Sequence, residues 1–203
     1  MFGFSKQEED YRKYRWFFTS SGTLVVGGKS DEQNEIVFNH FLKKGYYVMH
    51  TSSPGSPFMI IQSDNPTSED KEETAIFCAC FSKQWKRLKN EKEKVAVDIF
   101  RAEQLYKNRL MKKGSFGVNG EKKTIVVTPA LILIFQKGKL RTIAKTKQTV
   151  KKGGEVLAEI KLGSLTKEQA CEKIARRLKE TYQFPVSKDE IMAALPSDKM
   201  SVK

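Results

Sequence analysis

The stretch that most constrains the fold runs from Tyr14 to Glu35 and reads YRWFFTSSGTLVVGGKSDEQNE. Arg15-Trp16-Phe17-Phe18 is dense in strand formers. Ser20-Ser21-Gly22 is a turn and Thr23 to Val26 a second strand, so the segment predicts a hairpin. Gly27-Gly28-Lys29 then bends the chain into a helix. Ser30 and Gln33 form a capping box, and Asp31 and Glu32 occupy the first turn, where the helix dipole favours acids. This order sets backbone amides and a lysine at a helix mouth, a geometry that suits phosphate. The glycines can equally do no more than turn the chain. The stretch imitates the end of a P-loop, but the position five residues ahead of Gly28 is Thr23, and Gly22 misses by one. Nucleotide hydrolysis is therefore not expected.

Met1 to Lys13 is polar and reads as a short helix or tail. Tyr46–His50 and Phe58–Ile61 read as strands on either side of the loop Thr51–Pro57, where two prolines and a glycine forbid a regular element. Thr67 caps a helix from Ser68 to about Lys89, with Phe77, Phe81 and Trp85 on one face. Val95–Phe100 is a strand, Asn119-Gly120 predicts a tight hairpin, and Thr124–Phe135 holds one or two strands around Pro129. Thr166 with Gln169 and Ser187 with Glu190 are further capping boxes, opening helices of about 17 and 8 residues. The last seven residues are expected to fray. The expected class is α+β, with a mixed β-sheet and packed helices. Residues 1–128 form one domain, and 129–203 a basic carboxy-terminal extension of strand or strands and then two helices.

Charge narrows the function. The 203 residues carry a formal net charge of +13, unevenly spread. Residues 1–80 hold 8 Lys/Arg against 11 Asp/Glu, and residues 81–203 hold 29 against 13. From Gln136 to Gly154 there are Lys137, Lys139, Arg141, Lys145, Lys147, Lys151 and Lys152 and no acid. Such a field captures polyanions, nucleic acid first, with an anionic membrane or an acidic protein tail behind it. No run of 18 apolar residues spans a bilayer, so no membrane partner is expected, and no secretory signal opens the chain. Three cysteines, Cys78, Cys80 and Cys171, argue against a disulfide framework and for a reducing, cytoplasmic compartment.

Chemistry-bearing residues are few. His50 ends a strand just before the Ser/Pro/Gly loop and can bond a phosphate, a base edge or a 2′-hydroxyl, or simply a loop carbonyl. Ser52, Ser53 and Ser56 are hydroxyls around Gly55 and also ordinary turn formers. His40 reads as structural. Cys78 and Cys80 point to different sides of a helix and read as core. No zinc spacing, nucleophile motif or paired carboxylates occur, so an enzyme, a cofactor and a metal are not expected.

Several of these pieces in series resemble the RNA-binding domain called NFACT-R, found in the NFACT ribosome-associated quality-control factors and as a stand-alone protein. The matching residues are Arg15-Trp16-Phe17, Gly27-Gly28-Lys29, Gln33-Asn34-Glu35, Val48-Met49-His50 with the loop through Gly55-Ser56, Ser82-Lys83-Gln84-Trp85-Lys86, and Lys113 to Lys122. They span roughly residues 12–128. The family's acid two residues after the histidine is absent here, as are its other domains. The resemblance implies binding of tRNA or ribosomal RNA near ribosomes, with the large subunit as a partner and another protein supplying the missing domains. With the basic residues, it gives a candidate RNA-binding set: Arg15, Lys29, Asn34, His50, Ser52, Ser53, Lys86, Arg87, Lys145, Lys147, Lys151 and Lys152. The rival readings are a protein-interaction adaptor that docks an acidic partner through the helices after Thr166, and a nucleic-acid enzyme using His50.

Overall fold

The computed structural model describes residues 10–182 and 186–203. Most of the helix or tail read over Met1–Lys13 lies outside them; Tyr11–Lys13 is a single 3-10 turn. Arg15–Phe18 (β1) and Leu24–Gly27 (β2) form the expected hairpin, with Trp16 opposite Val26 and Phe17 opposite Val25. Asp31–Phe41 (α1) follows, capped by the Ser30 hydroxyl, which accepts from the Gln33 amide. Tyr47–Thr51 (β3) and Met59–Ile61 (β4) flank the Pro/Gly loop.

The single helix expected from Ser68 to about Lys89 divides into Ser68–Cys80 (α2) and Lys83–Arg87 (α3). Ser82 is the cause. Its hydroxyl donates to the Ala79 carbonyl at 2.7 Å and accepts from the Gln84 amide, ending one helix and capping the next. Val95–Arg101 (β5), Leu105–Tyr106 (β6), Gly117–Val118 (β7) and Lys123–Val127 (β8) come next. Since β7 pairs with β6, and β8 with β5, Asn119-Gly120 joins strands of different sheets and is no hairpin tip.

The remainder is Leu131–Gln136 (β9), Lys139–Ala144 (β10), Lys147–Lys152 (α4), Ala158–Leu165 (β11), Lys167–Tyr182 (α5), Lys188–Ala194 (α6) and Met200–Val202 (β12). The tail expected to fray is a strand. β12 pairs with β11 and buries Met200 and Val202.

The α+β class is as expected, and every described pairing is antiparallel. One sheet has the order β1-β2-β4-β3-β5-β8, a second β10-β9-β11-β12, and β6-β7 form a small ribbon. Helix α2 joins the two large sheets, packing against β3, β4, β5 and β8 and also against β9 and β10. Residues Ala75 to Cys80 are all buried, as befits a helix covered on every side. One core cluster runs through both sheets; a second lies beneath α1, from Val26, Val37, Val48, Ile60 and Phe100. On β10, Arg141 reaches Trp16 of β1 and its neighbour Thr142 donates to Ala194 of α6.

Polar pins fix the hairpin. Asp70 of α2 accepts from the Thr19 hydroxyl at 2.5 Å and the Ser21 hydroxyl at 2.6 Å, and Glu73 from the Ser20 amide and hydroxyl. Burial alone would raise the Asp70 carboxyl, but bonds from Ser21, Thr19 and Thr67 outweigh it and hold it below its ordinary value. Gln136 of β9 completes the edge of β1, bonding both the amide and the carbonyl of Phe18.

Two outcomes follow. Asp70→Ala strips the turn of its acceptor and is expected to lower stability by about 3 kcal/mol in urea unfolding, since bonds to a charged group are worth about 1.5–3 kcal/mol. All three cysteines are buried, and burial pushes the Cys78 thiol up to about 12. Ellman's reagent should titrate no thiol in the native protein and all three cysteines in guanidinium.

Candidate nucleic-acid interface

The glycine-lysine corner is open. A cleft of about 240 Å³ lies between the start of α1, the Gly55-Ser56-Pro57 loop and the first turn of α3. Arg15, Lys29 and Lys83 bring three cations to it; Asp31 on the rim is the one acid among its lining residues. Close packing dictates the glycines. A Cβ on Gly28 would sit 2.4 Å from Asn34 Oδ1, and one on Gly55, at φ 104°, would strike the Lys83 side chain. The Lys83 amide donates to the Gly55 carbonyl at 2.7 Å, which ties the loop to α3 and so positions the lysine.

The electrostatics are unusual. The Arg15 guanidinium lies 4.4 Å from the Phe81 ring centroid, and burial lowers its pKa to about 10, with no carboxylate among the described residues offsetting the effect. Lys29 donates to the Lys13 carbonyl; its pKa is lowered first by burial and then by the charges of Arg15 and Arg141. Arg141, from the second sheet, lies 4.3 Å from the Trp16 ring; burial lowers its pKa too, partly offset by Glu190 and Tyr11. Its Nε is buried and has no hydrogen-bond partner among the described residues. Lys167, at the start of α5, is depressed by burial and then by Arg15. Cations from both sheets thus meet at one seam, where Arg15 lowers the basicity of Lys29 and Lys167, and Arg141 that of Lys29. A bound anion relieves that repulsion. Asn34 Oδ1, buried beside Gly28, also has no partner among the described residues, so the cleft holds an unused acceptor beside its cations.

The structure brings together Arg15, Lys29 and Asn34 of the candidate set and places the others elsewhere. His50 is engaged away from the cleft. Its Nδ1 lies 2.7 Å from the Thr51 carbonyl, its ring stacks near Phe58, and burial lowers its pKa. The Ser52 hydroxyl donates to Asp98, the residue opposite His50 on β5, which also accepts from Lys122 and Thr124. Ser53 is exposed, and its carbonyl accepts from the Thr51 hydroxyl. Lys86 pairs with Asp198 at 3.5 Å, and Lys145 with Glu159 at 2.6 Å, so neither is an isolated cation. Arg87, Lys147, Lys151 and Lys152 are exposed. Lys83 and Arg141 belong at the seam and were missed as site residues. The Ser82-x-x-Trp85 pattern carried a signal for Lys83; Arg141 is brought in by tertiary packing alone.

Among the described residues no group of His, Cys, Asp and Glu can hold a metal ion, and no helix is long and apolar enough to cross a membrane. The profile of the family described as the NFACT protein RNA binding domain matches residues 13–120, just over half of the chain. The chain is 30% identical over 80 residues to the human ribosome quality control complex subunit NEMF, covering 37% of this chain and 7% of that one. It is 24% identical over 136 residues to ribosome quality control complex subunit 2 of Schizosaccharomyces pombe, covering 63% and 13%. To the Rqc2 homolog RqcH of Streptococcus suis it is 32% identical over 116 residues, covering 57% and 20%. The chain thus spans at most a fifth of the length of these relatives. Among solved structures, the C-terminal part of the fibronectin/fibrinogen-binding protein from Streptococcus suis superposes with a TM-score of 0.50 at 32% identity, covering 60% of this chain and 47% of that one. The corner, the loop clamped to α3 and the Lys113–Gly120 turn all fall within the matched segment, and the chain belongs to the NFACT RNA-binding domain family.

Proposed function

We propose that the chain is a non-catalytic binder of structured RNA, tRNA or ribosomal RNA, working in the cytoplasm in ribosome-associated quality control. The observation that carries this reading is the seam: burial lowers the basicity of Arg15, Lys29 and Arg141, the charges of Arg15 and Arg141 lower Lys29 further, and no ion pair to Arg15 is found among the described residues. A fold that half-buries such a cluster gains from an anionic ligand, and the cleft beside it accommodates a backbone phosphate. The exposed lysines of α4 extend the positive field beyond the seam and speed capture. The names of NEMF, Rqc2 and RqcH support the ribosomal context. A non-catalytic role fits the state of His50, whose Nδ1 is occupied by a backbone carbonyl.

Total tRNA binding followed by filter retention should weaken steeply with salt, each phosphate contact adding about 0.7–0.9 to the slope of log K against log salt. Arg15→Gln/Lys29→Gln/Lys83→Gln should flatten that slope by about two units. Binding indifferent to salt, or a triple variant with the parental slope, contradicts the reading. In lysates the chain should sediment with large ribosomal subunits and leave that fraction after nuclease digestion of the RNA. Retention after digestion would favour docking on a protein instead.

A further inference from the structure

The seam has a small cavity of its own, about 20 Å³, between β1, β10 and the end of α6. It shares Arg15, Lys29 and Phe81 with the larger cleft and adds Trp16 of β1 and Arg141 of β10, neither of which lines the cleft. No acid is among its lining residues.

Two of these side chains carry donors that the fold leaves over. Arg141 Nε and Trp16 Nε1 are both buried and have no hydrogen-bond partner among the described residues. Buried donors without an acceptor are uncommon in folded proteins. Trp16 is 1% exposed, so bulk water does not serve its indole. The other indole of the chain behaves differently: Trp85 Nε1 donates to the Asp198 carbonyl at 3.0 Å. Arg141 Nη1 donates to the Leu140 carbonyl at 3.3 Å, which leaves Nε as the donor to be accounted for. Glu190 offsets the burial of Arg141 only in part, and its Oε1 accepts from the Leu140 amide at 2.8 Å.

Size and chemistry together select the guest. A space of this volume admits one water or one monatomic ion and is too small for a tetrahedral phosphate. A water must donate as well as accept, whereas two N–H donors flanked by cations suit a guest that only accepts. We propose that the seam cavity binds one monatomic anion, chloride, with Arg141 and Trp16 as its hydrogen-bond donors and Arg15 and Lys29 as flanking charges. The ion balances Arg141, the seam cation that a phosphate in the cleft does not meet. Its binding needs no RNA and so goes beyond the RNA reading above.

Side-chain NMR of the full chain without RNA tests the site. Potassium gluconate is replaced stepwise by potassium chloride at a constant ionic strength of about 0.1 M. The Trp16 Nε1–H and Arg141 Nε–H resonances should move downfield and saturate, while the Trp85 indole stays in place. The same exchange should raise the melting temperature by about 2–4 °C, and Arg141→Gln should remove that rise whatever its own stability. Inorganic phosphate in place of chloride should leave both resonances where gluconate does. Trp16 and Arg141 resonances that ignore chloride, or that move equally with phosphate, overturn the site. So does a Trp85 shift as large as that of Trp16, which marks a general salt effect, or a chloride-dependent rise that Arg141→Gln retains. Each of these results leaves the RNA reading standing, since that reading fails only on its own measurement, the salt dependence of tRNA binding.

Discussion

The burial of one helix between two sheets is the constraint on which the rest depends. Helix α2 has no solvent face over Ala75–Cys80, and it packs against strands of both sheets. Neither sheet can bury its inner face without it. The arrangement brings the edge strand β1 against β10, and Gln136 and Arg141 cross the gap to Phe18 and Trp16. The seam is the direct consequence: a cation of the second sheet is pressed towards two of the first.

Burying a charge costs free energy unless a partner compensates it. In this fold the carboxylates are spent on other tasks. Asp70 and Glu73 hold the hairpin turn, Asp98 gathers Ser52, Thr124 and Lys122, and Glu159 joins Lys145 and Lys161. Among the described residues Arg15 instead packs on the face of Phe81 with no ion pair, and Arg141 packs on Trp16 with Glu190 only partly offsetting its burial. Aromatic faces tolerate a guanidinium without neutralising it. The protein therefore keeps charge at Arg15 and Lys29 that an external anion can balance, and the phosphate backbone of RNA is such an anion.

What the sequence disclosed was local. The Tyr14–Glu35 hairpin, the Ser30 and Thr67 caps and the α5 capping box rest on neighbours within four residues and formed as expected. One miss was local: the Ser82 hydroxyl bonds the Ala79 carbonyl and caps the next turn through the Gln84 amide, a choice that the apolar spacing of Phe77, Phe81 and Trp85 hides. The others were non-local. Met200–Val202 is a strand because β11 offers it an edge. Among site residues, Arg15, Lys29 and Asn34 were legible because the Gly-Gly-Lys bend gathers them. Lys86 and Lys145 read as free cations, since Asp198 and Glu159 stand far along the chain and meet them only after folding. His50 reads equally as a ligand-binding group and as a histidine bonded to a loop carbonyl, and its Nδ1 meets the Thr51 carbonyl.

Arg15 and Lys29 meet no carboxylate partner among the described residues, and a phosphate of RNA is the anion that would pair with them. Side-chain NMR of the Arg15 guanidinium and the Lys29 ammonium during titration with a short RNA tests it directly. The account predicts that Arg15 Nε–H and the Lys29 Nζ protons shift and become protected from exchange with water at the first equivalent, ahead of the exposed lysines of α4. Shifts confined to α4, with the Arg15 and Lys29 resonances unmoved at saturation, would contradict it.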